Sequence, residues 1–357
     1  MRLLLAAAFA LIAVPAFADP TIPTNDIISG AITNYIRPSF AQFDTDTGAL
    51  KTSMATLCAT PSAGAFASAQ TAFKTVVISY SRIEFLHLGP LTIGNRAEQL
   101  LFWPDTKGIA LKQVQQVLGQ KDPAAASANT LKDKSVALQG LSALEFVLFG
   151  TGSETLGTTD GAYRCSYGSA VATLINGLAA TLDTEWQDKT PNGPEAHMLN
   201  PQPDADDYRT QKEVLEKLSG ALVVGTDIIR DQRIAPIIGA ATGSPKPRSA
   251  LFWRSGLTVP SLAANFQGLK DFFVAANFHD AVKGNLWIAN GAIFEFDNAL
   301  STLGKLDGPI DQITANADDL KQLSYLVNIT RVTDTLLGDN LSGALGLTLG
   351  FSLLDGD

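Results

Sequence analysis

A single carboxylate, Glu145, stands in the run from Gly140 to Gly150, which is otherwise almost wholly apolar. Apolar side chains point all the way round such a segment, so it reads as a buried helix. A carboxylate there carries a desolvation penalty of several kcal/mol unless a charge partner, hydrogen-bond donors or a metal offset it. Ser142 lies three residues earlier and projects from the same face, so a hydroxyl and a carboxylate share one patch of the core. Glu145 is then either a ligand or acceptor in a polar pocket, or a carboxylate paired with an arginine to fix helix register. Buried carboxylates cluster at functional sites, which favours the first reading.

Other residues could join it. Glu84 and His87 form a Glu-x-x-His pair near a helix end. That spacing puts both on one face, as in the metal-binding helices of di-iron bundles. A full di-iron site needs further carboxylates and a second such pair, and the sequence has no second one. The alternative is that Glu84 pairs with Arg82 or Arg96 while His87 packs at the turn before Gly89 and Pro90. Arg96, Trp103 and Asp105 flank a turn at Pro104. Trp103 reads as a core anchor and Asp105 as a cap for the following helix. Arg96 can hold a carboxylate or an anionic ligand in fork geometry. Arg254 and Ser255, before Gly256, are similar: an arginine at a helix-entry turn, binding an anion or pairing with a carboxylate. His197, in a proline-rich loop, and His279, beside Asp280, read as surface residues.

The elements that must position these groups are helical almost throughout. Helices are expected at about 25–57, 63–86, 108–120, 131–149, 162–188, 206–232, 258–280, 285–304 and 314–337, with Pro38 kinking or dividing the first. The stripe Ala72, Phe73, Val76, Val77 and Tyr80 shows the period well, as does Leu262, Phe266, Leu269, Phe272, Phe273 and Ala276. Loops rich in Gly, Pro, Ser and Thr fall at 150–161, 189–207 and 235–248. The last is the best linker, although the helix before it could belong to either side. The tail from Asp339 to Asp357 carries Leu341, Leu345, Leu347, Leu349, Phe351 and Leu353, which need burial, and is expected to cover a bundle end.

The first residues read as a secretory leader: Arg2, an apolar run from Leu3 to Val14 too short to cross a bilayer, Pro15, and Ala16-Phe17-Ala18 as the cleavage pattern. Residues 1–18 would be removed and the product would be soluble and periplasmic. No later stretch is a membrane helix, so an integral membrane protein is not expected. Cys58 and Cys165 are the only cysteines, and in an oxidising compartment a disulfide between them is the natural reading, with two separate buried thiols as the alternative. The formal charge of −9 argues against nucleic acid as a partner. No His-Glu-x-x-His zinc helix, Gly-x-Ser-x-Gly elbow or phosphate-binding glycine loop is present.

The segment around Glu145 resembles the signature helix of the imelysin family, whose pattern is Gly-x-His-x-x-Glu. Gly140, Ser142 and Glu145 fall on that pattern, with Ser142 where the family has its histidine. The stretches 84–90, 96–108 (with Phe102, Trp103, Pro104 and Asp105), 253–256 and 346–351 before Asp355 to Asp357 also resemble imelysin segments. The resemblance implies an all-α fold of two packed helical bundles, here 19–235 and 249–357 about a linker at 235–248. The site would lie near their interface, lined by Glu84, His87, Arg96, Asp105, Ser142, Glu145, Arg254 and Ser255. It also implies a periplasmic, non-enzymatic protein of bacterial iron uptake that binds iron or an iron chelate, or serves as accessory to a transport system in the envelope. If a bare ion is held, the expected ligands are Glu145, Glu84 and His87, with His87 standing in for the missing imidazole. Carboxylates and one imidazole suit a hard iron ion. With Ser142 in place of histidine, an organic ligand or chelate is the other outcome. The family's name-giving member is described as an insulin-cleaving metallopeptidase, and a metal-dependent peptidase is the rival class. The absent histidine counts strongly against it.

Overall fold

The computed structural model describes residues 20–347. The expected leader and the last ten residues of the tail lie outside the described residues. The protein is all-α, with no strand among the described residues.

Helix α1 (Thr24–Ala31) passes through a π-helical turn at Ile32–Ile36 directly into α2 (Arg37–Ala59). Pro38 therefore sits in the first turn of α2, where its missing N–H is tolerated, and the helix widens before it instead of breaking. Ser62 caps α3 (Ala63–Ile83) by accepting from the Ala65 N–H at 3.1 Å. Then come α4 (Ile109–Gln120), α5 (Gly140–Phe149) and α6 (Ala162–Gln187). Helix α7 (Gln211–Asp227), capped by Thr210, runs on through a second π turn at Ile228–Ile234. Helices α8 (Thr258–Ala275), α9 (Leu286–Leu303) and α10 (Ala317–Asp334) follow, α10 ends in a third π turn at Thr335–Leu341, and shorter helical turns fill the connections.

Two groups of helices share one continuous apolar core. In the first, α2 lies along α3 and α6, and α5 packs on α6 and α3. In the second, α9 lies between α8 and α10, and α7 packs on α10 and α8. Helix α7 buries Leu215, Leu218 and Leu222 in this setting. The second group thus begins in sequence before 235–248, not after it. The 235–248 segment itself is folded back, with the Lys246 N–H donating to the Ile237 carbonyl at 2.7 Å and Ile237 buried.

The seam between the groups is chiefly α3 against α8. A Cβ on Gly268 would lie 2.5 Å from the Arg82 carbonyl oxygen, so only glycine lets these two backbones approach so closely. Around this contact Tyr35, Phe85, Phe272 and Phe278 meet in tilted and edge-on pairs with ring centroids 5.4–6.4 Å apart. A disulfide joins Cys58 at the end of α2 to Cys165 at the start of α6, across 107 residues. No helix among the described residues is long and apolar enough to cross a membrane.

Candidate functional site

Helix α5 begins abruptly. Gly140 has φ +72°, and a Cβ there would meet the Leu100 carbonyl oxygen at 2.5 Å. The expected helix over 131–149 is cut to 140–149 for this reason, with short turns before it. This close contact lays α5 against the 99–102 strap, and the Ser142 hydroxyl points at the Phe102 carbonyl, 3.5 Å away. One turn on, Glu145 is 4% exposed.

Its partners come from the turn leading into α8. Phe252 has φ +59° and Gly256 φ +71°. A left-handed phenylalanine is strained by roughly 1–3 kcal/mol, and burial of its ring against Phe73 holds it there. The turn so formed aims Ser255 at the carboxylate. Glu145 Oε1 accepts from the Ser255 N–H at 2.9 Å and from its hydroxyl at 2.8 Å. Burial pushes the Glu145 carboxyl above the usual glutamate range, while the two Ser255 donors and then Arg254 pull it back. Arg254 lies over the Trp253 ring at 4.4 Å and the Phe146 ring at 5.3 Å. Burial pulls its guanidinium below the usual arginine value, Glu145 opposes this, and Arg248 adds to it.

A cavity of about 510 Å³ opens over these groups. Its walls are the 102–114 segment, Ser142, Glu145 and Phe146 of α5, and residues 232–254 from the end of α7 to the α8 entry turn. It thus lies between the two helix groups. Asp105 lines it but has both carboxylate oxygens on the α4 N-terminus, at 2.7 Å from the Ile109 nitrogen and 2.9 Å from the Ala110 nitrogen. Trp103 anchors the facing strap by donating from Nε1 to the Gln232 carbonyl at 3.2 Å.

Three of the expected site residues lie elsewhere. Glu84 is buried in an ion pair with Arg233 and accepts from Asn265 at 3.1 Å, in a closed crevice beside Gly225, Ile228 and Leu269. Its expected partners are engaged otherwise: Arg82 pairs with Asp271, and Arg96 grips Glu185 with two bonds of 2.6 and 2.9 Å. His87 lines a different cavity of about 780 Å³ at the end of the first helix group, with Glu185, His197 and Asp207. There His197 Nδ1 is 2.8 Å from Asp207. Glu145, Glu84 and His87 therefore do not form one ligand set. The reason is topological: Glu84 ends α3 facing the α7 π turn, and the chain turns away before His87. Among the described residues no group of three or more His, Cys, Asp or Glu side chains could hold a metal ion.

Two cationic wall residues, Lys246 and Arg248, escaped sequence reasoning because their segment read only as a linker. The visible signal was the pair of basic residues around Pro247, a few positions before Trp253 and Arg254.

An all-α pair of helix groups, with a buried carboxylate on the wall of the cavity between them, is the class of protein that this architecture defines. The imelysin family model, also described as peptidase M75, matches residues 36–335. The chain belongs to the imelysin family. Its fold is similar to that of an imelysin-like protein from Psychrobacter arcticum 273-4, with a TM-score of 0.76, 16% identity, and 94% of this chain and 100% of that one covered. It is also similar to an iron-regulated protein A precursor from Parabacteroides distasonis ATCC 8503, with a TM-score of 0.75, 14% identity, and coverage of 92% and 97%. No curated protein matches the chain.

Proposed function

We propose that this chain is an exported, non-catalytic binding protein of iron acquisition that takes iron inside an organic complex, in the cavity over Glu145. Family membership and the fold shared with an iron-regulated protein support the iron connection. The observation that carries the rest is the state of the carboxylate. Glu145 Oε1 is committed to Ser255, and among the described residues no group of three or more His, Cys, Asp or Glu side chains converges there. A bare iron ion needs several oxygen or nitrogen ligands, and this wall supplies too few. A chelate brings its own, and a cavity of about 510 Å³ is in the range that encloses a small organic ligand.

The test is equilibrium titration of the metal-stripped protein with ferrous salt, ferric salt, soluble ferric chelates and haem. Saturable binding of a chelate, without binding of the salts, is expected. Tight binding of ferrous or ferric ion, with a coordination shell built from protein nitrogen and oxygen, refutes the proposal.

A further inference from the structure

The charge of the cavity over Glu145 is opposite to that of the protein. The chain carries a formal −9, yet five charged side chains line this cavity, and three of them are basic: Lys246, Arg248 and Arg254. Among the described residues none of the three closes an ion pair with a carboxylate. The two acids are differently placed. Asp105 is tied by both oxygens to the α4 backbone, and Glu145 is held by Ser255 and favoured in its neutral form by burial. The cationic side is also built on aromatic rings. Arg254 lies over Phe146 and Trp253, and Arg248 lies 5.7 Å over the same Trp253 ring. A guanidinium stacked on a ring keeps its edge N–H groups free to fork onto an anion.

We propose that this cavity receives its ligand as an anion with a flat aromatic or apolar body, gripped by Arg254, Arg248 and Lys246 beside the Trp253 and Phe146 rings. The inference rests on the reading that this cavity is the binding site. It narrows the ligand to aromatic carboxylates and to chelates that stay negatively charged when they hold ferric iron, such as a tris-catecholate.

Titration calorimetry with matched probes tests it. Salicylate is compared with neutral salicylamide, and ferric tris-catecholate with a neutral ferric trihydroxamate. The anionic member of each pair should bind at least about tenfold more tightly, as one charge-assisted hydrogen bond predicts. Added salt should erode that preference. Arg254→Gln and Arg248→Gln should weaken the anions and leave the neutral probes unaffected. Arg248 is exposed, so its variant tests the charge without risk to folding. Equal affinity for charged and neutral members, unchanged anion affinity in both variants, or binding of no probe overturns the proposal. The two readings fail separately. If salicylate binds through the arginines and no ferric complex does, the anion site stands and the iron role falls. If both ferric complexes bind equally, the iron role stands and the anion site falls.

Discussion

Replacing Ser255 by alanine should destabilise the protein by an amount that depends on pH. The hydroxyl donates to Glu145 Oε1 at 2.8 Å, and the adjacent N–H to the same oxygen at 2.9 Å. The variant keeps the second bond and loses the first. A hydrogen bond to a charged acceptor contributes about 1.5–3 kcal/mol, and one to a neutral acceptor about 0.5–1.5 kcal/mol. Burial raises the Glu145 carboxyl above its unfolded value. Its contribution to stability is therefore full below the ordinary glutamate pKa and is lost as pH rises through the folded one. Below the ordinary glutamate range the carboxyl is protonated and the missing bond is a neutral one; above its raised folded pKa it is ionised and the bond is charge-assisted. The alanine variant should thus cost roughly 1 kcal/mol more at the higher pH. The same difference appears as a further rise of the folded pKa when the donor is removed. Urea titrations of both proteins at the two pH values give the difference. In a Glu145→Gln background the pH dependence of the Ser255→Ala loss should vanish, because the acceptor no longer titrates. Equal losses at both pH values, or a greater loss in acid, would refute the account of Glu145 as a buried carboxylate held by Ser255.

Gly140→Ala should lower stability by at least about 2 kcal/mol in a denaturant titration, since it adds a Cβ 2.5 Å from a carbonyl oxygen at a left-handed φ. Glu84→Gln should cost about 3–5 kcal/mol, because Arg233 would be left buried without its counter-charge; calorimetric melting reads this, and a neutral result would show that the pair is not desolvated. His87→Ala should leave the affinity of any ligand of the Glu145 cavity unchanged, since His87 lines a different one. A large loss of affinity would link the two cavities. Reducing the Cys58–Cys165 bond should cost roughly 2–4 kcal/mol, seen as a lower urea midpoint in the presence of reductant.

The helices were legible because their apolar stripes are long and regular; 162–188 and 285–304 match their helices to within a residue or two. Glu145 was legible because one acid in an apolar run is a local signal. Its partner was not, since Ser255 is 110 residues away and is placed by a strained turn at Phe252 that periodicity does not encode. Glu84 shows the same limit. Arg82 and Arg96 are its neighbours in sequence, but α3 ends facing the α7 π turn, and the counter-charge arrives from Arg233, 149 residues on. A helix-spacing pair such as Glu84 and His87 states only that two side chains share a face. The structure ends the helix at Ile83, so that face does not exist. Lys246 and Arg248 were hidden in a Pro- and Gly-rich stretch that folds back to form a wall.

The single cross-link between α2 and α6 also governs the order in which the chain can finish folding. With two cysteines only one pairing exists, so an oxidant suffices and no isomerase has a wrong bond to correct. Cys58 must nevertheless wait for a partner that emerges 107 residues later, after α3, α4 and α5 have been made. Until then its thiol is open to capture by other thiols. A chain held in a reducing compartment would assemble the same helices without the covalent tie, so the oxidation state of this pair would report whether a given molecule had matured in reducing or in oxidising surroundings.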